Sequence, residues 1–388
     1  HCPASVVSNI EKIMRNFLWS GTSENSKMHL INWEEVCQSK EKGGLGIRRI
    51  KHINSALMSK WIWKLNSDED VAWKRIIRAK FGRGNLHWWL QGRGARGFSP
   101  NWRRIIKLLP SFRQNIFFHP GNGNKTHFWT DSWLGDNPLA EKYPRLFLLA
   151  RNQQCLIFDI APSGQLSTLN WESLLRRSLN DDEAIDISHL LGELNSICLN
   201  REDEDKLLWR PEPKGIYTVR SAYLTFANNN SSNHPAAIVW SLSCPQKQYF
   251  FNWCAMRGRL PTRDLLQRRG MHITSGLCPL CQAVPETVDH VLIHCSYSWK
   301  VWMLILNLFG SEIVMPHGLI RIASITSSLG LKNKGRLMFK CCVGFIPWFL
   351  WKERNRRIFH GHEQHWKHVA YSTLHSIVGW LKLQSCFQ

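Results

Sequence analysis

Acidic residues are scarce in this chain of 388 residues: 29 Asp and Glu stand against 50 Lys and Arg, leaving a formal net charge of +21 and a pI near 9.7. An excess of that size creates a field that attracts polyanions and speeds their encounter, which makes RNA or DNA the natural partner. Long hydrophobic runs are missing as well. The longest, Cys341 to Trp351, is too short to span a bilayer and contains Pro347, so it reads as a buried helix. Without a basic helix carrying a continuous apolar face either, a membrane is set aside as partner. No signal peptide is evident. Twelve cysteines, Cys2, Cys37, Cys155 and Cys198 among them, therefore read as thiols of a reducing, intracellular setting rather than as disulfides. Nothing in the sequence calls for an oligomer, and His1 in place of methionine points to a piece of a longer reading frame.

What is present is enough apolar material, 44% of residues, to build ordinary cores in more than one domain. Ile50, Ile53, Leu57, Trp61 and Leu65 recur at a helical period. Ser67-x-x-Asp70 resembles a capping box for a second helix that stops at Gly82. Lys42-Gly43-Gly44-Leu45-Gly46 is a turn, since it lacks the spacing and preceding strand of a phosphate loop. Ile116–His119 and Lys125–Trp129 flank Pro120-Gly121-Asn122-Gly123-Asn124 and predict a hairpin. The acidic helical stretch 180–205 reads as a spacer. Tyr217-Thr218-Val219 reads as a short strand before a helix capped by Ser221, and Pro245 introduces a helix carrying Phe250, Phe251 and Trp253. The fold class that follows is mainly α with small β-hairpins, multi-domain, with a small metal-stapled helical module.

That module rests on Cys278-Pro279-Leu280-Cys281, followed by His290, His294 and Cys295. Two thiolates two residues apart can reach one tetrahedral ion from a single knuckle, and a second pair downstream closes the shell as a structural zinc site. The Glu286-Thr287 pair marks a helix start just before the second ligands. His290 with His294 would give a Cys2His2 site on one helical face, whereas His290 with Cys295 requires the helix to relax at its end. A redox Cys-x-x-Cys would need a βαβ setting that this arginine-rich surround does not resemble.

Two basic runs are candidate nucleic-acid contacts. From Lys74 to Arg113 there are eleven Lys/Arg and no Asp/Glu, among them Arg78, Lys80, Arg83, Arg93, Arg96, Arg103 and Arg104, interleaved with Trp73, Phe81, Trp88, Trp89, Phe98 and Trp102. Arginines beside aromatics can neutralise phosphates and stack on unpaired bases. Arg257, Arg259, Arg263, Arg268 and Arg269 precede the knuckle, where a rigid staple would hold phosphate contacts in fixed geometry. Lys352-x-Arg354-x-Arg356-Arg357 has the composition of an import signal but reads as a solvated helix face.

Together these segments resemble the C-terminal part of plant LINE-type, non-LTR retrotransposon reverse transcriptases. The resemblance is carried by Phe17-Leu18-Trp19, Trp33, Gly43-Gly44-Leu45-Gly46, Gly121-Asn122-Gly123, Phe128-Trp129-x-Asp131-x-Trp133 and Gly215-x-Tyr217-Thr218-Val219-x-Ser221-Ala222-Tyr223. It is strongest from Trp240 through Trp302, which looks like that family's zinc-binding domain: Arg259-Leu260-Pro261-Thr262, Arg268-Arg269-Gly270, Cys278-x-x-Cys281, Glu286-Thr287, His290, Cys295 and Trp302. The resemblance implies one structural Zn2+ on Cys278, Cys281, His290 and Cys295, with His294 beside it. It further implies a helical thumb-like region over 1–113, a hairpin and acidic spacer over 114–206, the zinc-binding domain over 207–310 and a helical C-terminal region over 311–388. The implied role is noncatalytic. Neither the paired aspartates in an apolar hairpin that a polymerase needs nor the dispersed carboxylates of a ribonuclease H are found, and Asp181-Asp182 sits in a polar helix start. The partners implied are RNA or DNA and an upstream polymerase domain, with a nuclear location. A zinc-dependent protein-interaction module and a decayed element fragment are the alternatives.

Overall fold

The computed structural model describes residues 2–21, 28–66, 71–81, 99–161, 164–166, 169–195, 197, 199–200, 202–227, 234–308, 314–325 and 331–385, without the side chains of 78, 80, 81, 384 and 385. The chain is dominated by helices, as expected, and separates into two compact units. One comprises His1–Val7 and Ile50–Asn229, the other Ser8–Arg49 and Asn230–Gln388. Helix Ile50–Leu65 packs on Val219–Ala227 and helix Gln246–Met256 on Asn333–His360, so packing within the units spans positions 113, 206 and 310. Among the described residues no helix is long and apolar enough to cross a membrane.

In the first unit, helix Ile50–Leu65 forms where its periodicity predicts, but it buries another face. Leu57 and Trp61 are about half exposed, whereas Ala56, Met58, Ser59 and Ile62 are buried. The small Ala56 and Ser59 let helix Val219–Ala227 approach closely through its own Ser221 and Ala222, and Tyr217 Oη donates to the Ala56 carbonyl at 2.5 Å. Close packing therefore overrides the larger apolar stripe. Tyr217 does not lie in a strand. Thr218 caps the following helix, accepting from Ser221 N–H at 3.1 Å, so Ser221 sits inside the first turn instead of capping it.

Strand Ile116–His119 pairs antiparallel with Lys206–Trp209, not with the segment after the glycine turn. The cause is Asp205. Its buried carboxylate accepts from the backbone N–H groups of Gly121 (2.7 Å), Gly123 (2.8 Å) and Lys125 (2.8 Å) and from Thr126 Oγ1 (2.9 Å). The loop is thus wound around an anion instead of joining two paired strands as a hairpin. Gly121 is obligatory, since a Cβ there would lie 2.3 Å from the Asp203 carbonyl oxygen. The acidic stretch is likewise no spacer: helix Asp181–Leu194, started by an Asn180/Glu183 capping box, buries Ile187, Leu190 and Leu194 in this unit's core.

In the second unit, Pro245 starts helix Gln246–Met256, whose Phe251, Trp253 and Cys254 are buried. Beside it runs the long helix Asn333–His360, buried from Cys341 to Pro347 as its apolar run predicts and stopped by Gly361 in the left-handed region at φ 66°. The Lys42–Gly46 turn is structural: the Gly43 carbonyl accepts from Trp253 Nε1 at 2.7 Å and from Arg257 Nη2 at 2.8 Å. The described cysteines are free thiols, and burial pushes those of Cys37, Cys244 and Cys254 up to about 12.

Candidate metal centre

The knuckle is a tight turn. Gln282 N–H donates to the Cys278 carbonyl at 2.8 Å, Cys278 N–H to the Val284 carbonyl at 2.7 Å, and Gln282 adopts a left-handed φ of 54°. Leu280 N–H points at Cys278 Sγ from 3.4 Å, a contact that favours the thiolate. Downstream, Thr287 Oγ1 accepts from His290 N–H at 3.1 Å, in keeping with a helix start at Glu286-Thr287. Residues His290–His294 then widen into a π-helix, and Cys295 N–H reaches back to the His290 carbonyl at 2.7 Å. This is the relaxation a His290/Cys295 pair requires. It turns Cys295 into the site and leaves His294 outside, its ring 5.6 Å from that of His317.

The ligand atoms of Cys278, Cys281, His290 and Cys295 all lie within 4.8 Å of one another. Cys278 Sγ and Cys295 Sγ are 3.9 Å apart, and Cys281 Sγ and His290 Nε2 are 3.3 Å apart. The edges of a tetrahedral zinc shell are about 3.8 Å between sulfurs and about 3.5 Å between sulfur and nitrogen. The four groups therefore fit a single metal ion. The hydrogen bond between the Cys278 and Cys295 sulfurs raises the pKa of Cys278 and lowers that of Cys295, while burial and the neighbouring His294 lower that of His290.

The surrounding scaffold was not apparent from the Cys/His pattern. Arg354, on the long helix, grips Glu286 through Nε (2.7 Å) and Nη2 (2.9 Å), and both side chains are buried. Glu286 also accepts from Arg263 N–H at 2.8 Å. One turn on, Arg357 Nη1 donates to the knuckle carbonyls of Leu280 (3.1 Å) and Pro279 (3.4 Å), while its Nε donates to buried Glu353 at 2.9 Å. Arg354 and Arg357 are therefore not on a solvated face. They tie the long helix to the ligand-bearing turn.

The five arginines before the knuckle divide by role. Arg257 is buried against Glu35, Gly43 and the Trp253 ring, so it is not available to phosphate. Arg263 donates to the Leu277 carbonyl at 2.6 Å, and Arg268 is paired with Asp264. Arg259 and Arg269 are exposed. Of the other run, Arg103 and Arg104 are exposed on helix Pro100–Ile106, while Lys74 is fully buried. Arg78 and Lys80 lie on helix Ala72–Phe81 with side chains outside the described residues. Arg83, Arg93, Arg96, Trp88, Trp89, Phe98 and the Ser67/Asp70 capping box also lie outside them. Trp73 contacts Trp61 edge-on at 5.4 Å and stacks on Trp102 at 6.3 Å, so these rings partner one another.

Comparison with known proteins bears directly on this centre. Residues 217–302 match the family described as zinc-binding in reverse transcriptase. All four candidate ligands fall inside that match. Among curated relatives, a protein of Arabidopsis thaliana provisionally named a ribonuclease H protein is 28% identical over 310 residues, 78% of this chain. The chain spans about half of that relative, 48% of its length. An uncharacterized mitochondrial protein of Arabidopsis thaliana is 28% identical over 127 residues, 32% of this chain and 79% of the relative. The resemblance to a plant retrotransposon reverse transcriptase with its zinc-binding domain is borne out. The family match and the Cys/His cluster support a retrotransposon-derived zinc-binding region here.

Proposed function

We propose that this protein is a noncatalytic, nucleic-acid-holding region of a LINE-type reverse transcriptase, in which one structural Zn2+ braces a module that grips template RNA or target DNA for a polymerase domain encoded with it. The observation that carries this reading is the four-ligand shell within the matched segment. Three thiols and an imidazole saturate a tetrahedral ion and leave no position for a reactive water, which suits a structural ion rather than a catalytic one. The net charge of +21 supports a polyanionic partner. The activity in the relative's name is not carried over, since this chain spans 48% of that protein. A nuclear location follows from the need to reach chromosomal DNA.

Fluorescence-anisotropy titration of the full chain with structured RNA, single-stranded DNA and duplex DNA, from 50 to 200 mM salt, tests the reading. Neutralising six to ten phosphates makes affinity fall by about 10³ to 10⁵-fold over that range. A Cys278→Ser/Cys281→Ser variant that loses zinc is expected to lose binding in parallel. Absence of binding at low salt would overturn the reading and favour a protein-interaction module or an inactive remnant.

A further inference from the structure

The fold brings together basic residues that the sequence keeps far apart. Lys12 and Arg15, on helix Ala4–Ser20, line a cleft of about 760 Å³ together with His29, Arg259 and Arg269. All belong to the second unit. The carboxylate in its wall, Glu35, is already paired with buried Arg257. Among the described residues, none of Lys12, Arg15 and Arg259 has a carboxylate partner. Arg15 lies over the Trp33 ring, 5.9 Å from its centroid, and Lys12 and Arg259 are exposed.

Two features distinguish this cleft from an ordinary solvated basic face. Arg269 is held in place: Nη1 donates to the His29 carbonyl at 3.0 Å and Nη2 to the Leu30 carbonyl at 2.9 Å. That ties the His29–Leu30 segment to Arg269, the residue that ends helix Arg263–Arg268, so the guanidinium is held in place by neutral carbonyls that leave its charge intact. The second feature is concavity. Like charges converging on a low-dielectric wall focus the field into the cleft, where each cation is worth more than on a convex surface.

We infer that this cleft is the seat of the phosphodiester backbone. Lys12 and Arg259 supply the direct phosphate contacts, Arg15 and Arg269 the flanking field. The inference rests on the nucleic-acid reading above and assigns it a location, one in which Lys12 and Arg15, some two hundred residues before the segment that matches the reverse transcriptase family, complete the site. A guanidinium and an ammonium from separate segments lining one cleft suit a chain of spaced phosphate oxygens.

The test is an anisotropy salt series on the zinc-loaded full chain with a fluorescein-labelled single-stranded RNA, a single-stranded DNA and a duplex DNA. It compares wild type, Lys12→Ala/Arg259→Ala and Lys300→Ala/Lys334→Ala. The last removes the same charge from two exposed residues that do not line the cleft. Unchanged zinc content and circular dichroism establish that each variant is folded. Losing two phosphate contacts should lower the slope of log affinity against log salt by about 1.4 to 1.8 and weaken binding about tenfold or more at 100 mM salt, while the control pair stays within about twofold. Wild-type binding with the two variants indistinguishable would overturn the cleft and leave the nucleic-acid reading standing. No wild-type binding at low salt would overturn both.

Discussion

Arg354 and Glu286, 68 residues apart in the chain, form a two-pronged ion pair with the arginine side chain 5% and the glutamate side chain 0% exposed. The pair joins the long helix to the segment between the two halves of the ligand set. Glu286 holds Arg263 N–H on one side and stands four residues before His290 on the other. The metal-binding turn is therefore braced by a helix beyond the matched segment 217–302.

Removing one partner should be far worse than removing both. Arg354→Leu is expected to destabilise the second unit by about 3 to 5 kcal/mol because it strands a buried carboxylate, whereas Arg354→Leu/Glu286→Leu should recover a large part of the loss. Urea denaturation of the two variants checks this. Equal losses would mean that the pair contributes only packing.

Asp205 should matter as much to the first unit. Asp205→Asn turns an acceptor for four donors into a group that faces two of them with an N–H, and it removes the charge. A loss on the order of 3 kcal/mol is expected in chemical denaturation, with zinc content unchanged. An unshifted midpoint would show that the loop holds its shape without the anion.

A pH dependence follows from His234. Its Nδ1 accepts from Ala236 N–H at 3.0 Å at the start of Pro235–Ser241, and only the neutral ring can accept there. Burial, and secondarily the charge of Arg257, lower its pKa, with Glu35 opposing. The unfolded chain thus takes up the proton more readily. The stabilisation is in place above about pH 6.5 and fades as pH falls through the lower folded-state value. His234→Asn keeps an acceptor at the cap without titrating there. The melting temperature of the wild type should therefore drop relative to this variant as pH falls below about 6.5, and parallel curves would contradict the assignment.

Chelation should act on one unit rather than on the whole chain. Structural zinc in such modules contributes on the order of 10 kcal/mol, so excess chelator should melt the second unit and leave the Asp205-centred unit cooperative. Hydrogen exchange read by mass spectrometry checks it: protection is expected to vanish around Trp253 and Trp302 and to persist around Trp209. Uniform loss would mean that the units do not fold separately.

The ligand pattern and the apolar run 341–351 were readable because each depends on local spacing. The knuckle, the helix start at Thr287 and the buried long helix followed directly. Long-range partners were not readable. A glycine-rich turn between two apolar segments predicts a hairpin, and nothing near it says that a carboxylate 80 residues on will wind the loop around itself. For the same reason Arg257 and Arg259, two residues apart, looked alike: burial against Glu35 makes one structural, whereas the other is exposed and has no carboxylate partner among the described residues. The choice between His294 and Cys295 depended on a π-turn that changes the phase of the helix by one residue. Resemblance pointed to Cys295, and the backbone geometry supplies the reason.

X-ray absorption at the zinc edge on the zinc-loaded full chain tests the central claim most directly. Coordination by Cys278, Cys281, His290 and Cys295 predicts three sulfurs at about 2.3 Å and one nitrogen at about 2.0 Å, with no oxygen. Two sulfurs with two nitrogens would place His294 in the shell instead of Cys295, and an oxygen ligand would mean that the site is open; either contradicts the closed structural centre.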